Sequence, residues 1–475
     1  MQIVASSFLA LAAMMILLFK GPYRGLWVLL AMTAFGAAAA FNLPALGGAS
    51  ILVADIAALT VFGLVACHTG GANLIVGSAR FGQPGFWLLL LLVYAIFAGL
   101  MLPRLFAGAT EVFTLSRDTN GTGIVSVPLR PGSGNLTQLF RILLGAATFY
   151  AVASVFRVRP DARMVVNAIA VVTVLNLGLG LLDVATFAIG KPELMEPIRS
   201  ANYSMLYDVR MAGLKRMIGG YPEASSYGYY SIGFFGFWLM FWLGTPASRR
   251  THIMLAISAF AVLRSTSSAA YVAFAGFFAV LAVVLLLAQL RPHVGRRGTM
   301  IALALVVASV LIALVIASSY QMLSPFRAFM DRALFTKLDG DSGVERMSWN
   351  AQALVNFAET WGLGAGLGSV RASNWLVATL GSMGLIGTGL FLAFVLHVLV
   401  LPARGSDPAA VTVRSLRAAC LALLVSAMLT AATPDLGLAF FAFAGLATGL
   451  SRGTVLQRAR APAPAPQPRG SPALA

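Results

Sequence analysis

Apolar residues run through this chain in blocks broken by short polar or glycine-containing segments. A block of about twenty such residues, wound as a helix, matches the roughly 30 Å hydrocarbon core of a bilayer. Blocks begin near Ile3, Leu26, Ile51, Phe86, Leu139, Met164, Tyr229, Ile253, Ala269, Met300, Trp375, Leu416 and Leu436. They predict an all-α polytopic membrane protein with about 12–13 transmembrane helices. The block from Ile253 to Leu263 is the shortest. The first has the character of a signal-peptide core, but no basic residue precedes it, so it is expected to stay as a span.

Composition supports the same class. Of 475 residues 59% are hydrophobic and only 10% charged, whereas an ordinary soluble domain is about one quarter charged. The net charge of +17 would suit nucleic acid in a soluble protein, but its placement gives topology instead. Alternate loops, from Lys20 and Arg24 through Arg157, Arg159 and Arg163 to the tail, hold eighteen basic residues against Asp161 and Asp407 alone. By the positive-inside rule they face the cytoplasm, and no nucleic-acid partner is needed to explain the charge. The opposite face receives the long connections Pro103–Asn135, Lys191–Ser226 and Tyr320–Asn374. The chain then divides into N-terminal spans (1–190), a first charged outer loop (191–227), central spans (228–319), a large outer loop (320–374), C-terminal spans (375–450) and a disordered Ala-Pro-rich tail (451–475). Cys67 and Cys420 are isolated and form neither a metal motif nor a disulfide framework.

Chemistry is concentrated in the two outer loops. The first carries Arg199, Asp208, Arg210, Lys215, Arg216 and Glu223. Gly219-Gly220 makes a turn, Pro222 suits a first helical turn, and Glu223 would sit by the positive end of the following helix dipole. Glu223, Tyr227 and Tyr230 share a face at helical spacing. These residues form either an interfacial anchor or a polar site at the membrane surface. The large loop is too long to be structureless. From Gly343 it reads as an amphipathic helix, with Val344, Met347, Leu354 and Val355 apolar and with Arg346 and Asn350 on a polar face. Gly362, Gly364, Gly366 and Gly368 follow, then Ser369, Arg371 and Asn374. Such a strip either aims N–H groups at phosphate or is a plain turn. It lacks the Gly-Lys-Ser/Thr sequel of a P-loop.

Arg264 closes the short eighth block, Asp435 lies between the last two, and Asp55 and Asp183 fall inside spans, where a carboxylate is either a proton relay or paired. Arg210, Arg216, Arg264, Arg346 and Arg371 all fall on the outer face near helix ends. Guanidinium forks match phosphate oxygens, so the cluster suits a lipid-linked diphosphate, with headgroup contact as the plain alternative.

These segments resemble the bacterial O-antigen polymerase and ligase family. Arg210 to Tyr230, with Gly219-Gly220-Tyr221-Pro222-Glu223, is similar to the loop in which an arginine and glycine precede a Pro/Glu-containing start of a span. Leu263-Arg264-Ser265-Thr266-Ser267-Ser268 resembles the family's Ser/Thr-rich helix end. Arg346-Met347-Ser348-Trp349-Asn350, Trp361-Gly362-Leu363-Gly364 and Asn374-Trp375-Leu376 resemble its large outer loop and the next span. The similarity covers roughly Arg210 to Leu450. The ligases carry a histidine where this chain has Ser373, which favours a polymerase over a ligase.

The resemblance implies a GT-C-like, metal-independent glycosyltransferase without a cofactor, in the bacterial inner membrane with its site facing the periplasm. It would join undecaprenyl-diphosphate-linked oligosaccharide repeat units into exopolysaccharide, capsule or O-antigen, alongside a chain-length regulator or export complex. Glu223 is expected as the base, with Arg210 and Arg216 beside it. Arg264, Arg346 and Arg371 would hold the diphosphate, and Tyr227, Tyr230, Asn350, Asn374 and Asp435 the glycan. A flippase or transporter of the same lipids is the alternative from another class. It predicts paired repeats and charges lining a central path.

Overall fold

The computed structural model describes residues 1–44, 48–118, 121–211, 213–289, 341–403 and 407–460. The predicted span near Met300, the start of the large loop before residue 341, the tail after residue 460 and the basic residues Arg291, Arg296, Arg297, Arg404 and Arg469 lie outside them. Fifteen α-helices follow in order among the described residues: α1 Ser7–Arg24, α2 Leu26–Met32, α3 Val53–Ala66, α4 Gly71–Ser78, α5 Pro84–Leu100, α6 Leu102–Leu105, α7 Ser133–Val158, α8 Ala162–Ala188, α9 Ala224–Gly244, α10 Arg249–Arg264, α11 Ser268–Gln289, α12 Asp341–Glu359, α13 Trp375–Leu399, α14 Pro408–Thr430 and α15 Gly437–Arg460.

The chain is a predominantly helical, polytopic membrane protein. Among the described residues seven helices are long and apolar enough to cross a membrane, or eight if the pair α3 and α4, bent by 110°, is one span. Of the expected 12–13, the one near Met300 lies outside the described residues. The block from Leu26 is not a span: it makes the seven-residue α2 and then turns into a strand. Leu26, Val28, Leu29, Leu30 and Ala31 are all buried, so the block is apolar because it plugs the protein rather than because it faces lipid. Gly36 ends it against Tyr221, whose ring atom lies 2.5 Å from where a Cβ would stand. Ala37 N–H donates to Gly220 O at 2.8 Å. The block from Ile51 bends after Ala66, where Gly70 takes a φ of +79°. The block from Ile253 forms α10, only 16 residues long, and α11 contributes a shorter apolar stretch, Ser268–Val284.

Small residues set the helix contacts, as in lipid, where close van der Waals approach drives association. Gly445, Gly449 and Gly453 recur every four residues along α15, and a Cβ on each would stand 2.8 Å from the backbone oxygens of Phe149, Ala153 and Arg157 on α7. Gly233 and Gly236 give α9 the same closeness to Leu423 and Ala418 of α14. Phe391, Phe394 and Phe441 stack between α13 and α15.

Strands occur where the hydropathy pattern predicts none. β1 (Gln2–Ile3), β2 (Ala39–Leu43) and β3 (Ala49–Leu52) form one antiparallel sheet, β4 (Glu111–Asp118) and β5 (Gly121–Pro128) a hairpin ribbon, and β6 (Arg210–Met211) and β7 (Leu214–Lys215) a two-residue pair. All lie at the end of the bundle that carries the long connections, called here the loop-rich end. There α12 forms as expected, and Asn356 holds it to the ribbon by bonding Thr110 Oγ1 at 2.7 Å and Glu111 O at 2.5 Å. Its buried face carries Trp349, Ala353 and Asn356, and Val344, Met347, Leu354 and Val355 are exposed.

Candidate functional site

Asp183, near the end of α8, organises the first charged loop. Its Oδ1 accepts from Arg199 Nη2 at 2.5 Å and Lys215 Nζ at 2.8 Å. Its Oδ2 accepts from the Ile218 and Gly219 N–H groups at 2.9 and 3.4 Å. The carboxylate is thus paired, the alternative to a proton relay, and one buried anion fixes both sides of Arg216. Arg264 Nη1 donates to Lys215 O at 2.9 Å and braces the same strand.

The chain then turns through Gly219, at a φ of +54°, and Glu223 becomes the residue that caps α9. Pro222 therefore precedes the helix rather than starting its first turn. Ser225 Oγ and Ser226 Oγ donate to Glu223 Oε1 at 2.5 and 3.5 Å. No hydrogen bond from the described residues reaches Oε2.

Arg216 and Arg371 each lie within electrostatic reach of this carboxylate and of Arg346. Burial pushes the Arg216 guanidinium below the ordinary arginine value, Glu223 opposes the shift, and repulsion from Arg346 adds to it. Burial does the same to Arg371, against Glu345 and Glu223 and with Arg346. Arg371 stacks on the Trp349 ring, and its Nε, like that of Arg216, is buried without a hydrogen-bond partner. None of the three arginines forms an ion pair closer than 4 Å with a carboxylate among the described residues. Two half-buried guanidiniums with unused Nε donors, and a third, Arg346, within their electrostatic reach, make a site that favours an anion with several oxygens.

The remaining predicted residues fall elsewhere. Arg210 is exposed on β6, its guanidinium 5.3 Å from the Phe187 ring centroid, and no hydrogen bond or ion pair ties it to Glu223. Tyr227 is fully buried with its hydroxyl on Asn176 O, so it presents nothing to a glycan. Asn350 Oδ1 accepts from Ser373 N–H at 2.7 Å. Asn374 caps α13 through Leu376 and Val377 N–H. Both brace the Arg371 segment.

Of the two readings of the glycine strip, the phosphate cradle is not the one formed. Its N–H groups bond inside the protein: Gly364 to Thr360 Oγ1, Ala365 to Gly381 O, Gly366 to Ser382 O and Leu367 to Ala98 O. Gly364, Gly366 and Gly368 hold φ values of +88°, +104° and +85°. The strip is a locked ribbon threaded against a break in α13 at Gly384, where it satisfies carbonyls that the broken helix leaves open.

A second polar group joins residues far apart in the chain. Arg141, in α7, donates to Asp55 Oδ1 and to the Tyr203 hydroxyl, each at 3.2 Å. Asp55 Oδ2 accepts from Leu52 N–H at 2.8 Å, so this carboxylate is also paired. Asp435 and Tyr230 stand within electrostatic reach of Arg141. Sequence reasoning misses Arg141 as a site residue. Its signal is a lone arginine inside an apolar block, since charge at such depth marks function by default. No protein-family model matches the chain, and no curated protein does.

Proposed function

We propose that this protein is a glycosyltransferase of the O-antigen polymerase and ligase kind, which joins undecaprenyl-diphosphate-linked oligosaccharide units at the periplasmic face of the bacterial inner membrane. The observation that carries the reading is that Arg216 and Arg371, each with an unused Nε donor, lie within electrostatic reach of both Glu223 and Arg346.

In this reading the diphosphate of the donor lies among the three guanidiniums. A hydroxyl oxygen of the acceptor sugar forms a bond to the donor's anomeric carbon as the bond from that carbon to the phosphate oxygen breaks. Undecaprenyl diphosphate leaves with the bonding pair, and the arginines stabilise the charge that grows on it. Glu223 takes the hydroxyl proton. Arg264 and Asp183 act through β7, holding Arg216 in place. The sugar arrives activated by its diphosphate, so no nucleotide is consumed.

The test is reconstitution of the full chain in liposomes with a defined diphosphate-linked repeat unit. Wild type should yield a ladder of lipid-linked lengths, and Arg216→Ala and Glu223→Gln should each slow it about a hundredfold or more. A wild-type protein that carries single units across the bilayer without joining them would instead establish a transporter.

A further inference from the structure

The glycine ribbon lies well below the end of the span it leads into. Ala365 and Gly366 N–H donate to Gly381 O and Ser382 O at 2.8 and 3.0 Å, and Leu385 N–H donates to Gly362 O at 2.9 Å. These partners stand six to ten residues beyond Trp375, the first residue of α13, or about 9–15 Å along the helix at 1.5 Å per residue. On the other side Leu367 N–H donates to Ala98 O at 3.2 Å and the Tyr94 hydroxyl to Leu363 O at 3.4 Å. Both partners belong to the apolar span Pro84–Leu105. The middle of α12 is already at this level, because Ala353 O is 2.8 Å from where a Cβ on Gly381 would stand. The chain then climbs back to Asn374, which caps α13. Thus α12 and the ribbon enter the apolar depth of the bundle and leave by the end at which they entered. Irregular backbone persists at such depth only where protein satisfies it. The buried, internally bonded residues 364–367 meet that demand.

The surface of α12 divides into three arcs. One is buried against protein through Trp349, Ala353 and Asn356. The opposite arc holds Val344, Met347, Ala351, Leu354, Val355 and Ala358, all exposed. Ser348 and Glu359, also exposed, lie about a quarter-turn round from its middle. Trp361, 87% exposed at the turn into the ribbon, joins the apolar arc to the spans. Its ring meets Phe106 edge-on at 6.4 Å between centroids. Beside it, Leu385 of α13 is itself 65% exposed, with Cδ1 3.9 Å from where a Cβ on Gly362 would stand. We infer that α12 and the ribbon form a re-entrant element whose apolar arc and Trp361 contact the acyl chains of the leaflet at the loop-rich end. Depth selects lipid as the occupant, since the arc continues the lipid-facing surface of α13 at the same level. One arc on protein, one in lipid and one in water is the division of an interfacial helix, and tryptophan favours the boundary. The bilayer then sets the height of Arg371, which stacks on Trp349 of this element. None of this depends on the polymerase reading.

The experiment uses the full chain in nanodiscs, with the exposed Cys67 replaced by serine and a nitroxide label on one introduced cysteine at a time. Molecular oxygen, which concentrates in lipid, and a water-soluble nickel chelate are the two collision probes. Labels at Leu354→Cys and Trp361→Cys should collide with oxygen in preference to nickel. They should match a reference label at Val93→Cys, an exposed position within an apolar span, and Ser348→Cys should show the reverse preference. Nickel access at Leu354→Cys or Trp361→Cys equal to that at Ser348→Cys would mean that the arc faces water, and overturns the inference. Shielding of either label from both probes would mean that protein covers the arc, and overturns it too. Trp361→Phe serves as a second test that needs no label. Phospholipids brominated high on the acyl chain should quench part of the wild-type tryptophan fluorescence, and the variant should lose less of its signal. Equal fractional quenching in the two proteins contradicts a lipid contact at Trp361.

Discussion

The guanidinium of Arg371 lies over the Trp349 ring, 4.3 Å from its centroid. Trp349 is on the buried face of α12 and Arg371 is in the segment leading into α13, so this stack fixes a cation from one element against the other. It holds the arginine plane without consuming its donors. Arg371→Lys keeps the charge but loses the fork, and it should lower polymerisation by tenfold or more. Trp349→Leu should cost about three- to fivefold, the worth of a cation–π contact. Turnover of a lipid-linked repeat unit measures both.

Removing Asp183 leaves Arg199 and Lys215 buried without their shared anion. Asp183→Ala should destabilise the protein by roughly 3–5 kcal/mol, read as a large fall in apparent Tm in detergent. Arg210→Ala, at an exposed position, should leave the Tm within a degree or two of wild type.

Much of this fold is legible in the sequence, because α5, α7, α8, α13, α14 and α15 are long apolar blocks with polar ends, and α12 has a helical repeat. The Leu26 block misleads because hydropathy is the same for a plug buried in protein as for a helix facing lipid. Contact of Gly36 and Ala37 with Tyr221 and Gly220, far along the chain, decides between them. The same limit applies to the site. Glu223, Arg216, Arg346 and Arg371 are readable as charges at helix ends, whereas the pairing of Arg141 with Asp55 joins residues 86 apart. Glycine spacing between residues 362 and 368 announces unusual backbone, but whether its N–H groups face a ligand or a broken helix depends on α13.

Burial raises the Asp435 carboxyl above its ordinary value, against the Gly437 N–H bond and the charge of Arg141. A raised folded value means that the folded state holds this proton more tightly than the unfolded chain. The associated stability is complete below the ordinary carboxylate range and is lost as pH rises through the raised value. Asp435→Asn should therefore stabilise the protein relative to wild type at pH 7, with the difference shrinking towards pH 4. Apparent Tm measured across that range checks the sign.

The glycine ribbon gives a sharp contrast. Gly364 has a φ of +88°, and a Cβ there would stand 2.6 Å from Gly384 N. Gly364→Ala should cost about 2 kcal/mol or more, through strain and through separation of the ribbon from α13. Gly389, farther along α13, has nothing within 4 Å of the position a Cβ would take, and Gly389→Ala should be neutral or stabilise by up to about 1 kcal/mol. Thermal unfolding of the two variants side by side is sufficient.

The arginine site is tested most directly by the affinity of the purified protein for undecaprenyl diphosphate and, in parallel, for uncharged undecaprenol. Wild type should prefer the diphosphate strongly, and Arg216→Ala, Arg346→Ala and Arg371→Ala should each weaken its binding about tenfold or more while leaving undecaprenol unaffected. Arg210→Ala should change neither. Equal affinity for the two lipids, or a diphosphate affinity indifferent to all three arginines, would contradict a diphosphate site at Glu223.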